Sequence, residues 1–360
     1  MSEISPTAAA TAVKDIAHPV ISAHSEKTVN GNGNGATTAA AADAGGMEAL
    51  CRDLRRKVDG FLERQIDDHD EVLRSTQKQV RVATGVIDEA LRRYRPEELS
   101  LSYNGGKDCL VLLILILASL PSHFPSSTSS SDSSSIPPSD TTNTATIPAT
   151  ATTTSATATT TPSFPTTFQA LYIRPLSPFP EVDDFVAETT ARYHLDLATS
   201  DKPMKAALTD YLSSAPIPTQ EQQRGDHAHG RGQDVRAVFV GTRRTDPHGQ
   251  FLTHFDETDR DWPRFMRVHP VIDWHYREVW GFIRALEIPY CPLYDKGYTS
   301  LGGTDDTHPN PALLLNGGAE VNIGNGGGDG DCELKGKRDQ RFRPAYELME
   351  DGEERLGRDR

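Results

Sequence analysis

Apolar residues recur at the spacing of amphipathic helices in the first charged stretch of the chain. Leu50, Leu54, Val58 and Leu62 lie four residues apart, and residues 80–87 contain a second such group. Residues on one face of an α-helix recur every three or four positions. The pattern therefore predicts helices within residues 47–95, packed by their apolar faces against a sheet.

Further along the chain, short apolar runs alternate with helical patterns. The runs predict strands at residues 99–103, 168–174, 195–199 and 235–240. The helical patterns lie at residues 108–120, ended by Pro121, at 182–193, at 204–212, and at 274–283, capped by Asp273. Strands that alternate with helices form a mostly parallel sheet. We therefore predict an α/β fold, a mostly parallel sheet with helices on both faces.

Three low-complexity segments interrupt this alternation: residues 1–46, about 122–167 and about 316–331. Each has too few apolar residues to offset the entropy of ordering, so we expect disorder there. The remaining residues, about 240, suffice for one domain within 47–360. The second segment joins a helix to the start of a strand. It should lie at the end of the sheet opposite the strands' carboxyl ends, where ligands bind.

The charge and cysteine content narrow the class of partner. The formal net charge of −14 argues against a nucleic-acid binder, which would show a basic face. The apolar run at residues 110–118 is too short for a membrane span, which needs roughly 20 residues. The four cysteines show no paired spacing, which favours a reducing compartment. We expect a cytoplasmic protein whose partners are small molecules rather than nucleic acid or a membrane.

A glycine-rich loop follows the first predicted strand and begins the apolar helix: Asn104-Gly105-Gly106-Lys107-Asp108. Consecutive glycines let backbone N–H groups converge on an anion, and the helix N-terminus adds positive potential. An aspartate after the lysine suits a phosphate site only with a metal between them, which suggests Mg²⁺ held by Asp108 and Asn104. The alternative is a tight strand–helix turn with a capping aspartate.

The loop "SYNGGKD" (102–108) resembles the S-G-G-K-D-S loop of the PP-loop ATP pyrophosphatase superfamily. Three downstream motifs, "GTRRTDPHG" (241–249), "DWPRFMRVHPVIDWHYREVWGFI" (261–283) and "PYCPLYDKGYTSLGGTDDTHPNPAL" (289–313), resemble fungal-type FAD synthases, or FMN adenylyltransferases. That family is grouped with phosphoadenylylsulfate-reductase-like proteins. The resemblance implies a Rossmann-like fold and AMP transfer from MgATP to the 5′-phosphate of FMN, giving FAD and pyrophosphate.

The motifs and the resemblance together assign candidate site residues. The catalytic set is Asn104, Lys107, Asp108, Arg355 and Arg358. The set for ATP and pyrophosphate is Ser102, Tyr103, Gly105, Gly106, Ile173, Arg243 and Arg244. The flavin set is Asp246, Asp259, Trp262 and Arg267. Taken without the resemblance, Trp262 suits core packing, Asp259 a loop cap, and the charged C-terminus a solvated tail.

Two other functions compete with this assignment. A reductase of adenylylated sulfate would need a nucleophilic cysteine near the C-terminus, and Cys332 lacks the surrounding reductase pattern. A noncatalytic adenine-nucleotide-binding protein would not need the complete set of Asn104, Lys107 and Asp108. We therefore prefer the transferase function.

Overall fold

The computed structural model describes residues 36–124, 163–213, 232, 234–315 and 341–359. The strands in this part of the chain are β1 (Leu99–Ser102), β2 (Phe168–Ile173), β3 (Leu195–Ser200), β4 (Ala237–Phe239), β5 (Phe255–Glu257) and β6 (Met266–Val268). The α-helices are α1 (Ala36–Glu63), α2 (Glu71–Arg93), α3 (Lys107–His123), α4 (Pro180–Arg192), α5 (Met204–Leu212) and α6 (Tyr276–Ala285).

The strands form one sheet in the order β3-β2-β1-β4-β6-β5. All neighbouring pairs are parallel except β5 and β6, which are antiparallel. Because β1, β2 and β4 run in the same direction, the segments that follow them meet at one edge of the sheet. The glycine-rich loop after β1 and the "GTRRTD" segment after β4 are therefore brought together, as the predicted fold requires.

Alternating strand residues contact apolar clusters on opposite faces of the sheet. Leu99 and Leu101 of β1 join the larger cluster, in which α3 packs against α1, α2 and α6. On the other face, Leu208 of α5 belongs to a smaller cluster with Leu171 and Val238. The α/β fold with helices on both faces is thus confirmed.

Several boundaries differ from the sequence prediction. Helix α1 begins at Ala36, inside the segment expected to be disordered, because its alanines favour helix. Helix α3 continues past Pro121 to His123, since a proline in the last turn removes only one terminal hydrogen bond. The N-cap of α6 is His275 rather than Asp273. No helix in the described ranges is long and apolar enough to cross a membrane.

Candidate active site

The loop between β1 and α3 has the backbone geometry that its glycines predict. Gly105 has a φ of 71°, and a Cβ there would lie 2.9 Å from Cγ2 of Val186. A side chain is therefore excluded by both conformation and space. The Oδ1 atom of Asn104 accepts the Gly106 N–H at 3.0 Å, which closes the turn. The loop ends at the first residue of α3, where the phenol oxygen of Tyr294 accepts the Lys107 N–H at 2.8 Å.

A charge cluster, formed by Lys107, Asp108, Arg243 and Glu354, lies at the start of α3. Lys107 Nζ is 2.9 Å from Asp108 Oδ2 and also donates to Glu354 Oε1. Arg243 Nε is 3.0 Å from Asp108 Oδ1, and Arg243 Nη2 donates to Glu354 Oε2. Lys107 is 2% exposed and Arg243 is 0% exposed. Two buried cations thus face two carboxylates.

Burial and charge act in opposite directions on these groups. Burial alone would raise the pKa of Asp108, but the charges of Lys107 and Arg243 outweigh it and lower that pKa. Burial likewise favours neutral Lys107, but Asp108 and then Glu354 raise its pKa above the ordinary value. Asp108 and Lys107 are therefore both ionised near neutral pH, which makes their pairing electrostatic.

A cleft of about 580 Å³ opens at the same edge of the sheet. Its lining includes Asn104, Ile173 at the end of β2, and Arg358. Leu176 and Met204 also line it and are 93% and 58% exposed. Apolar side chains at the mouth of a cleft suit a flat organic ring, and the arginine suits a phosphate. The arrangement can therefore hold a nucleotide.

The structure brings many of the predicted residues together. Asn104, Ile173 and Arg358 line the cleft, whereas Lys107, Asp108 and Arg243 lie in the charge cluster. Ser102, Gly105 and Gly106 lie in β1 and in the loop after it.

Four predicted side chains have other surroundings. The Tyr103 side chain is buried and its hydroxyl donates to Thr189, so it packs in the core. Arg244 binds Asp273 and the backbone carbonyls of residues 250 and 252, which positions that loop. Asp246 accepts the Arg243 N–H at 2.8 Å and so orients an arginine. Arg355 is exposed. Direct ligand contacts by these residues remain predictions.

Three of the four candidate flavin residues, Asp259, Trp262 and Arg267, lie in or beside the β5–β6 hairpin. Arg267 of β6 donates from Nη2 to the carbonyl of Glu257. Trp262 packs beside the α5-face cluster, and Asp259 is exposed. Their loop precedes β6, which runs parallel to β4, so it lies at the sheet edge opposite the cleft. The cleft lining contains none of the three, and their flavin role stays a prediction.

The donor set fits a magnesium ion that is bound mainly by a nucleotide. Among the described residues no group of three or more His, Cys, Asp or Glu is placed to hold a metal. Mg²⁺ on a triphosphate takes most of its ligands from phosphate and water and needs one or two carboxylates. Asp108 Oδ1 is buried without a hydrogen bond but lies 3.0 Å from Arg243 Nε, so a metal bound there would displace this ion pair.

Sequence reasoning missed three residues of this site. Glu354 lies 247 positions from Lys107, so no local spacing signals their contact. Tyr294 caps the loop from a distant motif. A Cβ at Gly302 would overlap the guanidinium of Arg358. The two glycines of "SLGG" were the available signal for this last contact.

Comparison with known proteins identifies the family. A family model described as the phosphoadenosine phosphosulfate reductase domain matches residues 98–309. The chain is 34% identical over 243 residues to the "Probable FAD synthase" of Schizosaccharomyces pombe, covering 68% of this chain and 73% of that protein. The chain belongs to the FAD synthase family. The prediction made from the loop and the three downstream motifs is confirmed.

Other members of the family match over different lengths. The crystal structure of Candida glabrata FMN adenylyltransferase in complex with FMN and the ATP analog AMPCPP is 25% identical, with a TM-score of 0.63. The match covers 88% of this chain and 97% of that one. The "Probable FAD synthase" of Caenorhabditis elegans is 28% identical, and the match covers 77% of this chain but 39% of that protein.

Proposed function

We propose that the protein transfers AMP from MgATP to the 5′-phosphate of FMN and releases FAD and pyrophosphate, as an FMN adenylyltransferase of the cytoplasm. The observation that carries the proposal is the cleft at the strand ends. Asn104 of the glycine-rich loop, Ile173 at the end of β2 and Arg358 line one space that suits a nucleotide, and this supports the proposal. The Candida glabrata relative that was crystallised with FMN and AMPCPP supports these two substrates.

The reaction needs charge neutralisation more than proton transfer. The phosphate monoester of FMN has a second pKa near 6, so at neutral pH it is mostly a dianion and can attack the α-phosphorus of ATP without a general base. The bond to the β-phosphate breaks, and pyrophosphate leaves with the electron pair. Catalysis then depends on alignment of the two phosphates and on positive charge around the leaving group.

The chain supplies that positive charge in two ways. The N-terminus of α3, which follows Asn104 of the cleft lining, adds positive potential, and Arg358 in the lining retains one further N–H on each of Nη1 and Nη2. Mg²⁺ held by Asp108, with Asn104 beside it, would neutralise phosphate charge. The Nζ of Lys107 is buried and already bonded to two carboxylates. In this structure the Lys107 amino group therefore binds carboxylates and is not positioned to bind a phosphate in the cleft.

The described cysteines do not suit a sulfate reductase. Burial, as the largest cause, raises the pKa of Cys51 to about 12, of Cys109 to about 12 and of Cys291 to about 11. Thiols with these pKa values are almost entirely protonated at neutral pH and are poor nucleophiles. Cys332, the candidate nucleophile for a reductase, lies outside the described residues.

The test is product formation by the full chain. Purified protein is incubated with FMN and MgATP, and FAD and pyrophosphate are quantified by chromatography and by a coupled pyrophosphate assay. We expect equal amounts of the two products. Riboflavin in place of FMN should give neither product, because it lacks the attacking phosphate. The proposal fails if no FAD forms, or if phosphoadenylylsulfate and a thiol donor yield sulfite instead.

A further inference from the structure

The C-terminal strap, residues 351–359, is attached to the body of the protein at several points. Asp351 Oδ1 accepts the first backbone N–H of α6 at 2.7 Å. Thr299 Oγ1 donates to the Glu354 carbonyl at 2.6 Å, and Asn310 Nδ2 donates to the Glu353 carbonyl at 2.8 Å. A Cβ at Gly357 would overlap the carbonyl oxygen of His308. The strap therefore follows one defined path and is not a solvated tail.

Glu354 connects this strap to the segments that follow β1 and β4. Its Oε1 accepts from Lys107 Nζ and its Oε2 accepts from Arg243 Nη2. The carboxylate is buried, with the residue 6% exposed. A buried carboxylate between two buried cations is strongly anchored, because loss of either partner leaves an uncompensated charge.

The two cations are enclosed by these contacts. Neither Lys107 nor Arg243 belongs to the cleft lining, whereas Arg358 does. Lys107 and Arg243 can therefore affect the cleft only through the side chains that they bind. Glu354 is the one of these side chains that belongs to the strap.

Arg358 lies four residues after Glu354 in the strap and donates hydrogen bonds to Leu301 and Asp306. Its Nη1 donates to the Leu301 carbonyl at 3.0 Å, and its Nη2 donates to Asp306 Oδ2 at 2.8 Å. Its Nε is buried without a hydrogen-bond partner among the described residues. Arg358 and Asn104 line the same cleft.

We infer that Glu354 is a positioning residue: its carboxylate bridges Lys107 and Arg243, and this bridge places the strap so that Arg358 faces the cleft. Lys107 and Arg243 then serve the reaction as anchors of the strap. The inference rests on the proposed function for its catalytic consequence, but the bridge itself is a structural contact with its own readout.

A double-mutant cycle on turnover tests the catalytic part. Glu354→Gln removes the charge of the bridge, and Arg358→Gln removes the arginine that the bridge is inferred to position. Each single variant should lower kcat on the order of 100-fold, the cost of a misplaced catalytic group. The double variant should lose little more than either single variant, because both changes remove one function. Losses that multiply would overturn the inference.

A second variant separates geometry from charge. Glu354→Asp keeps a negative charge near both cations, so the protein should lose less melting temperature than Glu354→Gln does. The shorter side chain cannot reach Lys107 and Arg243 together, and kcat should still fall by roughly tenfold or more. Wild-type turnover in Glu354→Asp would show that only charge matters. Faster turnover in Glu354→Gln would show that the carboxylate competes with phosphate. Either result would overturn the inference that Glu354 positions the strap.

Hydrogen exchange tests the bridge without reference to activity. The Asp359 N–H donates to the Asp306 carbonyl at 3.0 Å and reports on the strap. Its exchange should become roughly tenfold faster or more in both Glu354 variants, because the strap opens more often. The matched control is Glu353→Gln, whose carboxylate is outside the charge cluster. Unchanged exchange in the Glu354 variants would overturn the inference. Wild-type protein that makes no FAD, with exchange as expected, would refute the proposed function alone.

Discussion

The substitution Gly302→Ala probes the position of Arg358 without changing any charge. A Cβ built on Gly302 overlaps Nη1, Cζ and Nη2 of Arg358. The backbone of Gly302 does not have the positive φ that excludes other residues, so alanine is tolerated there by conformation. The added methyl group therefore acts on the guanidinium and not on the chain path.

The size of the effect follows from this overlap. Carbon and nitrogen atoms in ordinary contact lie ~3.5 Å apart, so the guanidinium must move by about 1 Å. That shift weakens the bonds of Arg358 to Leu301 and Asp306 and changes its position in the cleft. A 1 Å misplacement of a catalytic group costs on the order of 100-fold in rate, which is about 2.7 kcal/mol in the barrier.

The assay is steady-state FAD formation beside a thermal melt. Gly302→Ala should lower kcat by about two orders of magnitude while the melting temperature changes by only a few degrees. The control is Gly352→Ala, which lies in the strap where an added Cβ has no heavy atom within 4 Å. It should behave as wild type. Full turnover in Gly302→Ala would refute the argument, because Arg358 could then leave its observed position without loss.

Elements with strong periodicity could be predicted from the sequence. Strands β1, β2 and β3 and helix α5 lie where the apolar patterns placed them. Strands β5 and β6 were missed because each has three residues and carries charges, at Asp256, Glu257 and Arg267. Such segments have neither an apolar run nor a clear alternation. Their pairing depends on the sheet edge that β4 provides.

The cap of α6 shows how a tertiary contact can override a local preference. Aspartate is a favoured N-cap residue, which is why Asp273 was predicted to begin the helix. The structure uses its carboxylate to bind Arg244 Nε at 2.6 Å instead. The helix begins after His275, and the carboxylate of Glu278 accepts the His275 N–H at 2.7 Å. Arg244 lies 29 positions away, so the sequence alone did not indicate this competition.

In the candidate site, too, residues with a local sequence signal could be predicted, and residues that depend on a tertiary contact could not. The loop glycines and the residues at strand ends could be identified, because their positions follow from β-α connectivity. The burial of Lys107 and Arg243 could not, because it depends on Glu354 of the C-terminal strap. Both cations had been assigned to phosphate from the loop motif, the strand-end position and the family resemblance, none of which indicates a distant carboxylate partner.

The remaining predictions concern the loop, the insertion and the strap. Asp108 has a lowered pKa in the folded protein, so its stabilising effect is present above its unfolded pKa of about 3.9 and is lost as pH falls through the lower folded value. Acid melts of Asp108→Asn should therefore show a weaker loss of stability below about pH 4 than wild type. Tyr294→Phe leaves the buried Lys107 N–H without its acceptor and should cost about 1–3 kcal/mol in chemical unfolding, and an unchanged midpoint would contradict this contact. Replacement of residues 126–162 by a short glycine linker should preserve both turnover and melting temperature. The ring centroids of Phe124 and Phe164 are 5.9 Å apart, so the linker has little distance to span, and both rings precede β2, at the sheet end away from the cleft. A large loss of either property would show that the segment has a role. A chain that ends after Glu354 keeps the bridge to Lys107 but loses Arg358. It should melt close to wild type yet form FAD roughly 100-fold more slowly, since a cleft guanidinium is missing. Full activity of this truncation would leave the strap with a purely structural role and would remove Arg358 from the site.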